Sequence, residues 1–198
     1  AYTAVDRAED EEALATVVNG DAPGAMAAAA AARDLPFLHV STDYVFNGAS
    51  MRPWLEDDPT GPLGAYGRSK LAGERAVAAA GGAYAVLRTA WVFAAHGDNF
   101  VKTMLRVGAA RNRLTVVNDQ HGGPTAAADI ADALVVIARA FASGRGTSGV
   151  FHFTGAPATT WRDFAVEIFR QADWIPTPEV APVTTAEWPT PAARPRRS

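Results

Sequence analysis

Two residues set the chemical question. In the stretch Y-G-R-S-K, Tyr66 and Lys70 stand at i and i+4, so a helix carries both on one face. A tyrosine titrates near pH ~10, and a nearby ammonium stabilises its phenolate, lowering that value and making the phenol a usable proton donor and acceptor. The competing account is an ordinary surface pair of a cation and an aromatic ring. Composition speaks against it. Lys70 and Lys102 are the only two lysines among 18 lysines and arginines. With four tyrosines in the chain, a Tyr-x-x-x-Lys spacing arises by chance about 0.04 times. Lysine therefore stands where arginine is otherwise used, and the two differ: one is a compact point charge on a flexible stem, the other a planar fork.

A second feature lies upstream. The apolar run F-L-H-V at 37–40 ends in Ser41, Thr42, Asp43 and Tyr44. A strand that finishes in four polar side chains either caps a loop with Ser and Asp hydrogen bonds or holds a ligand, and on these residues alone both accounts stand. R-T-A-W-V-F at 88–93 has the same character.

The elements that must position these groups alternate. Helices are expected over 10–19 and over the Ala-rich 23–34, which ends before Pro36. A strand follows over 36–41, then a long loop over 47–63 rich in Gly and Pro. Further helices are expected over 65–80, ended by Gly81-Gly82, over 98–111 with Asp98 or Asn99 as cap, over 125–142, and over 160–172 with Thr160 as cap. Strands are expected over 84–89, 114–117 and 150–153. Beyond 175, Pro176, Pro178, Pro182, Pro189, Pro191 and Pro195 are expected to preclude regular structure. Strands alternating with helices give an α/β fold: parallel βαβ units in a doubly wound, Rossmann-like sheet. Such sheets take ligands beyond the carboxyl ends of their strands, where Ser41, Thr42, Asp43 and the 88–93 stretch fall.

Composition bounds the rest. The chain has 198 residues, 48% of them hydrophobic, and a formal charge of −3 with no basic face, which argues against nucleic acid as a partner. Without cysteine there is no disulfide, thiolate or cysteine metal site. The longest apolar run, A-M-A-A-A-A-A-A at 25–32, is too short to span a bilayer, and no signal peptide is visible. His39, His96, His121 and His152 are isolated and lack metal-ligand spacing, so no metal is expected. The chain opens without methionine in A-Y-T-A-V-D and stops at R-P-R-R-S, and both ends are expected to be internal to a longer protein.

The motifs S-T-D-Y-V-F-N-G, a Pro-rich loop, and Y-G-R-S-K-L-A-G-E resemble the extended short-chain dehydrogenase/reductases and, within them, the dTDP-4-dehydrorhamnose reductase family. The likeness continues through A-Y-T-A-V-D-R-A-E at 1–9, R-T-A-W-V-F, N-F-V-K-T-M-L at 99–105, N-D-Q-H-G-G-P-T at 118–125 and P-T-P-A-A-R-P at 189–195. The resemblance implies a cytoplasmic enzyme that reduces the 4-keto group of a dTDP-sugar with NADPH or NADH. It implies that Tyr66 protonates the C4 oxygen, that Lys70 holds the nicotinamide ribose and tunes the tyrosine, and that Thr42 hydrogen-bonds the reacting oxygen. Asp43 and Trp91 then contact substrate, and Ala1, Tyr2 and Thr3 lie along the cofactor. It also implies substrate-binding segments at roughly 92–125 and 155–198, interleaved with a truncated NAD(P)-binding domain.

Other residues carry weaker signals. Asp119-Gln120 and the Gly122-Gly123-Pro124 turn either approach a nucleotide diphosphate or simply enter the next helix. Glu9, Asp10, Glu11 and Glu12 read as a solvated helix start, Trp161 as core packing at a helix start, and Arg194, Arg196 and Arg197 as a solvated tail. The family's Gly-rich phosphate loop does not occur in the sequence. The resemblance places it before Ala1, so the 198 residues by themselves are expected to be inactive and to bind dinucleotide poorly. Some members join subunits through Mg²⁺ by a glutamate where this chain has Ala126-Ala127-Ala128, so a homodimer remains compatible but a metal-linked one is unsupported. Two alternatives stay open: an epimerase or dehydratase of the same superfamily, although dehydratases carry Asp-Glu where Asp43-Tyr44 stands, and a non-catalytic nucleotide-binding regulatory subunit of the methionine adenosyltransferase type.

Overall fold

The computed structural model describes residues 1–173 and 177–198. The chain begins with a 3-10 turn, Arg7–Glu9, and then α1 (Glu12–Thr16), a π-helical turn (Val17–Asp21) and α2 (Ala22–Ala31). Strand β1 (Phe37–Thr42), a 3-10 turn (Asp43–Val45) and, after an irregular loop, α3 (Ala65–Ala79) follow. Next come β2 (Tyr84–Thr89), β3 (Val92–Phe93), α4 (Phe100–Gly108), β4 (Arg113–Val117), β5 (His121–Gly122), β6 (Thr125–Ala126) and α5 (Ala127–Ala142). The order closes with β7 (Gly149–His152), β8 (Thr159–Thr160), α6 (Trp161–Ala172) and β9 (Glu179–Val183).

Two compact units divide these elements. The first holds residues 1–89, 129–153 and 190–198, and the second residues 90–128 and 154–189. In the first unit the sheet runs β1-β2-β7, all parallel, with Thr42 paired to Thr89 at its carboxyl end and Arg88 paired to His152. Helices α2 and α3 cover it through Ala27, Val77 and Val86, backed by Phe37, Tyr84 and Val150. Each fully buried aliphatic side chain of this kind contributes roughly 1.5–3 kcal/mol.

Helix α3 is the element that matters most. Its first free N–H, at Ala65, donates to Glu9 Oε1 at 2.8 Å, so a residue from another turn caps it. Gly67 and Gly73 face the carbonyls of Tyr44 and Asn19 so closely that a β-carbon at either would collide with backbone. The helix therefore packs by backbone against the 3-10 turn on one side and the π-turn on the other. Its buried face carries Ser69, Lys70 and Glu74 as well as Leu71 and Val77.

Glu74 is 4% exposed and meets Arg88 of β2 in a two-pronged ion pair, with contacts of 3.0 Å and 2.7 Å. Ser41 donates to the same carboxylate at 2.5 Å. Arg88 also donates to the Glu56 carbonyl at 3.2 Å and lies 5.0 Å from the centroid of the Phe46 ring, itself stacked on Trp54. One buried pair thus ties helix, two strands and the irregular loop together.

The second unit has its own core of Leu114, Val116, Ala165, Phe169 and Val180, packed by Phe100, Met104, Val107 and Trp161. Strands β4 and β9 pair in parallel, Val116 opposite Pro182. This corrects the expectation that prolines exclude regular structure beyond 175: in a two-stranded sheet a missing N–H is tolerated on the side away from the ladder. Pro176 lies outside the described residues. Three further expectations shift, and one open choice is settled. The first two helices are one run joined by the π-turn. Asn99, not Asp98, caps α4 by accepting from the Lys102 N–H at 3.1 Å. The acidic run at 9–12 is not merely solvated, since Glu9 caps α3, Glu11 accepts from Tyr2 and Arg7, and Glu12 pairs with Arg68. Nor is Arg194 a solvated tail residue, because it pairs with Asp6 at 2.8 Å within the first unit.

Removing one partner of the buried pair leaves an uncompensated charge in the core. Glu74→Gln is expected to cost about 3–5 kcal/mol in denaturant unfolding. A loss below about 1 kcal/mol, the worth of a surface pair, would contradict this placement.

Candidate functional site

The carboxyl end of β1 gathers the chemistry of the first unit. Ser41, Thr42 and Asp43 are all buried. Thr42 Oγ1 donates to Asp43 Oδ1 at 2.9 Å and accepts from the Tyr44 N–H at 3.2 Å, capping the 3-10 turn. So the polar strand end does serve as a loop cap. It also faces helix α3: the Thr42 hydroxyl lies near enough to the Tyr66 phenol to pull its titration down, and the Tyr44 and Tyr66 rings meet edge to face at 5.9 Å. Beside Thr42, at the end of β2, Thr89 Oγ1 is buried with no hydrogen-bond partner among the described residues.

Electrostatics here is governed by burial. The Tyr66 phenol is pushed up to about 12, burial outweighing the opposing pull of Thr42. The expected lowering of the phenol by Lys70 is not what the geometry gives. Lys70 instead donates to the Val40 carbonyl at 2.7 Å, and its ammonium lies 3.4 Å from His39 Nε2. Burial brings Lys70 down to about 8, against the opposing pull of Glu74. His39, desolvated and beside that ammonium, falls to about 4. At neutral pH the imidazole is thus uncharged and able to accept from Lys70. Asp43 rises to about 6, burial outweighing its hydrogen bonds from Ser198 and Thr42.

Tyr2 is fixed by a residue outside every motif, the amide of Asn19. Asn19, 1% exposed and inside the π-turn, accepts from the Tyr2 N–H at 2.8 Å and donates to the Tyr2 carbonyl at 2.9 Å. The same amide donates to Ser69 Oγ, which donates to the Tyr66 carbonyl. Ala1 and Thr3 on either side are exposed. Asn19, Ser69, His39 and Glu74 are therefore site residues that the motif reading passed over. The available signal was Asn-Gly inside an apolar helical run, since a one-turn π-bulge often marks a functional position.

Trp91 belongs to the second unit. It is partly buried, and its backbone sits in the left-handed region, with φ of 47°. Within that unit the Asp119-Gln120 turn is a packing element: Gln120 contacts Trp161 and Thr185, and Asp119 accepts from the Thr185 N–H and hydroxyl.

The two perturbed groups at β1 make a testable signature. His39 leaves the unfolded chain at about 6.5 and the fold at about 4, so it lowers stability as pH falls through that window. Asp43 moves the other way, from 3.8 to about 6, so it lowers stability as pH rises through that window. Between about pH 4 and 6 the two nearly cancel. Relative to the parent, His39→Gln is expected to gain stability as pH falls from 6 to 4, and Asp43→Asn to lose it. Parallel stability–pH curves for parent and variants, from chemical denaturation, would contradict both assignments.

The family described as RmlD substrate binding domain matches residues 1–198. The dTDP-4-dehydrorhamnose reductase of Burkholderia thailandensis is 48% identical over 210 residues, covering all of this chain and 70% of that protein. That of Sinorhizobium fredii is 46% identical over 202 residues, covering all of this chain and 68% of its own length. The crystal structure of dTDP-4-dehydrorhamnose reductase from Bacillus anthracis in complex with NADP superposes with a TM-score of 0.93 at 36% identity, again over the whole of this chain and 68% of the other. A family match that runs the length of the chain, joined to a parallel α/β sheet with Thr42 and Tyr66 close together at its carboxyl end, makes the chain a member of the dTDP-4-dehydrorhamnose reductase family.

Proposed function

We propose that this chain carries the catalytic residues for reducing the 4-keto group of dTDP-4-dehydro-L-rhamnose to the hydroxyl of dTDP-L-rhamnose with NADPH or NADH, a step in nucleotide-sugar and surface-polysaccharide biosynthesis. The observation that carries the proposal is the full-length family match together with an intact Thr42, Tyr66 and Lys70 set.

The residues suit the nicotinamide end of such a cofactor. Thr89 offers a buried hydroxyl without a partner among the described residues at the strand ends, next to Thr42, and Lys70 offers an ammonium with three donors, two of them directed at Val40 and His39. When bound, NADPH or NADH supplies the hydride. The residues of this chain do the rest. Thr42 and Tyr66 hydrogen-bond the C4 oxygen, stabilising the negative charge that grows on it. The phenol is fully protonated at neutral pH, and an alkoxide is a far stronger base than a phenolate, so the proton passes from Tyr66 to the C4 oxygen downhill. Lys70, charged below about pH 8, holds the ribose hydroxyls. Ala1, Tyr2 and Thr3 lie along the cofactor, their path set by the Asn19 clamp on Tyr2. Asp43 and Trp91 contact the sugar nucleotide. On this reading the first unit is the NAD(P)-binding domain, and the substrate-binding segments are roughly 92–125 and 155–198, of which residues 190–198 pack within the first unit.

Tyr66→Phe is expected to lower kcat by about 10²–10⁴-fold while leaving NADPH affinity within a few-fold, the range for loss of a positioned proton donor. Near-parental turnover of that variant, followed by NADPH absorbance, would remove Tyr66 from the role. Lys70→Arg keeps the charge but replaces a point donor by a larger fork that must fit the same buried place beside Val40 and His39. It is expected to be as impaired as Lys70→Ala, and recovery of most of the parental rate with arginine would contradict the lysine-specific role.

A further inference from the structure

Trp91 is a bulky residue in a backbone region that glycine favours, and such conformations persist only when the surroundings over-determine them. The surroundings do so here, all within the second unit. The Trp91 carbonyl accepts from the Thr125 N–H at 3.2 Å, and the next residues, Val92 and Phe93, pair with Thr125 and Ala126. The indole lies flat on Trp161, with centroids 3.6 Å apart and planes 9° from parallel. Trp161 is itself held at both ends. Its ring packs on Phe100 at 4.6 Å, and its Nε1 donates to Gln120 Oε1 at 3.2 Å. Gln120 in turn donates to Thr185 Oγ1 at 3.1 Å. On the edge of the Trp91 indole sits Gly122, where a β-carbon would come within 2.5 Å of the ring. Only glycine leaves that space to the indole.

We propose that Trp161 is a positioning residue for substrate binding: with Gln120 behind it and Gly122 at the edge, it holds Trp91 as a rigid platform for the dTDP-sugar. The inference rests on the reading of Trp91 as a substrate contact. A free tryptophan at the mouth of a site loses rotamer freedom on binding, and a ring already stacked has lost it beforehand, so pre-stacking favours substrate affinity rather than the chemical step. The signature of the role is therefore a change in KM for the sugar nucleotide at nearly constant kcat and unchanged NADPH affinity.

The test is a double-mutant cycle in the full-length protein, read by steady-state kinetics with dTDP-4-dehydro-L-rhamnose. Trp161→Leu keeps a large apolar group at the start of α6 but removes the stack, and is expected to raise KM about tenfold, an effect of the size of an aromatic pair. Trp161→Phe, which can still stack, should recover most of that loss. In a Trp91→Ala background, Trp161→Leu should add nothing further. Gln120→Met and Gly122→Ala disturb the same platform without touching the core of the unit, and both should raise KM in the same sense should Trp161→Leu fold poorly. The far-ultraviolet exciton couplet of the stacked indoles should vanish in Trp91→Phe and in Trp161→Phe alike. If Trp91→Ala raises KM while Trp161→Leu, Gln120→Met and Gly122→Ala do not, Trp161 is core packing only and the inference falls. If Trp91→Ala itself leaves KM unchanged, the substrate-contact reading beneath it falls instead, and this inference with it.

Discussion

The buried pair of Glu74 and Arg88 is the constraint on which the site depends. Its two side chains are 4% and 6% exposed, so each charge relies on the other for its solvation. Such a pair contributes little net stability compared with an apolar replacement, but it tolerates only one arrangement. That arrangement fixes helix α3 against the ends of β1 and β2, because Glu74 also receives the Ser41 hydroxyl. Lys70 stands one turn before Glu74 and Tyr66 one turn before Lys70. The register of a single ion pair therefore decides where the phenol and the ammonium meet the strand ends.

The close contacts on either side of α3 reinforce this register by shape rather than charge. Gly67 and Gly73 admit the carbonyls of Tyr44 and Asn19, and no other residue fits without moving the helix. The π-turn that brings Asn19 into this contact also turns its side chain onto the Tyr2 backbone. The backbone proposed to lie along the cofactor and the helix proposed to hold the proton donor are thus bridged by one buried amide. The Lys70 ammonium completes the arrangement beside His39, which burial and the adjacent charge keep unprotonated down to about pH 4.

Much of this was legible in the sequence, for definable reasons. The alternation of apolar runs and helical stretches, the spacing of Tyr66 and Lys70, and the polar end of β1 are local patterns, and they suffice for the parallel sheet and its polar carboxyl end. Thr160 was recognised as a cap, and its hydroxyl does accept from the Asp163 N–H. What was not legible depends on partners distant in the chain. Glu9 looked like a helix-dipole residue of its own helix, yet it caps α3, 56 residues on. Arg194 looked solvated, yet it pairs with Asp6, 188 residues away. The pKa of Tyr66 was misjudged because the i, i+4 rule gives proximity to Lys70 but says nothing of burial, and burial is the larger effect here. Pro182 was misread because the rule against proline in strands is a rule about central strands, and β9 has a free side.

The central claim, reduction at C4 by hydride from the nicotinamide, is tested most directly by isotope tracing. The full-length protein is given dTDP-4-dehydro-L-rhamnose and NADPH deuterated at the transferable position, and the product is read by NMR. The account predicts dTDP-L-rhamnose with one deuterium on C4, and protium at C4 when unlabelled NADPH is used in heavy water. Deuterium entering C4 from the solvent, or turnover of the nucleotide sugar without reduction at C4, would contradict it.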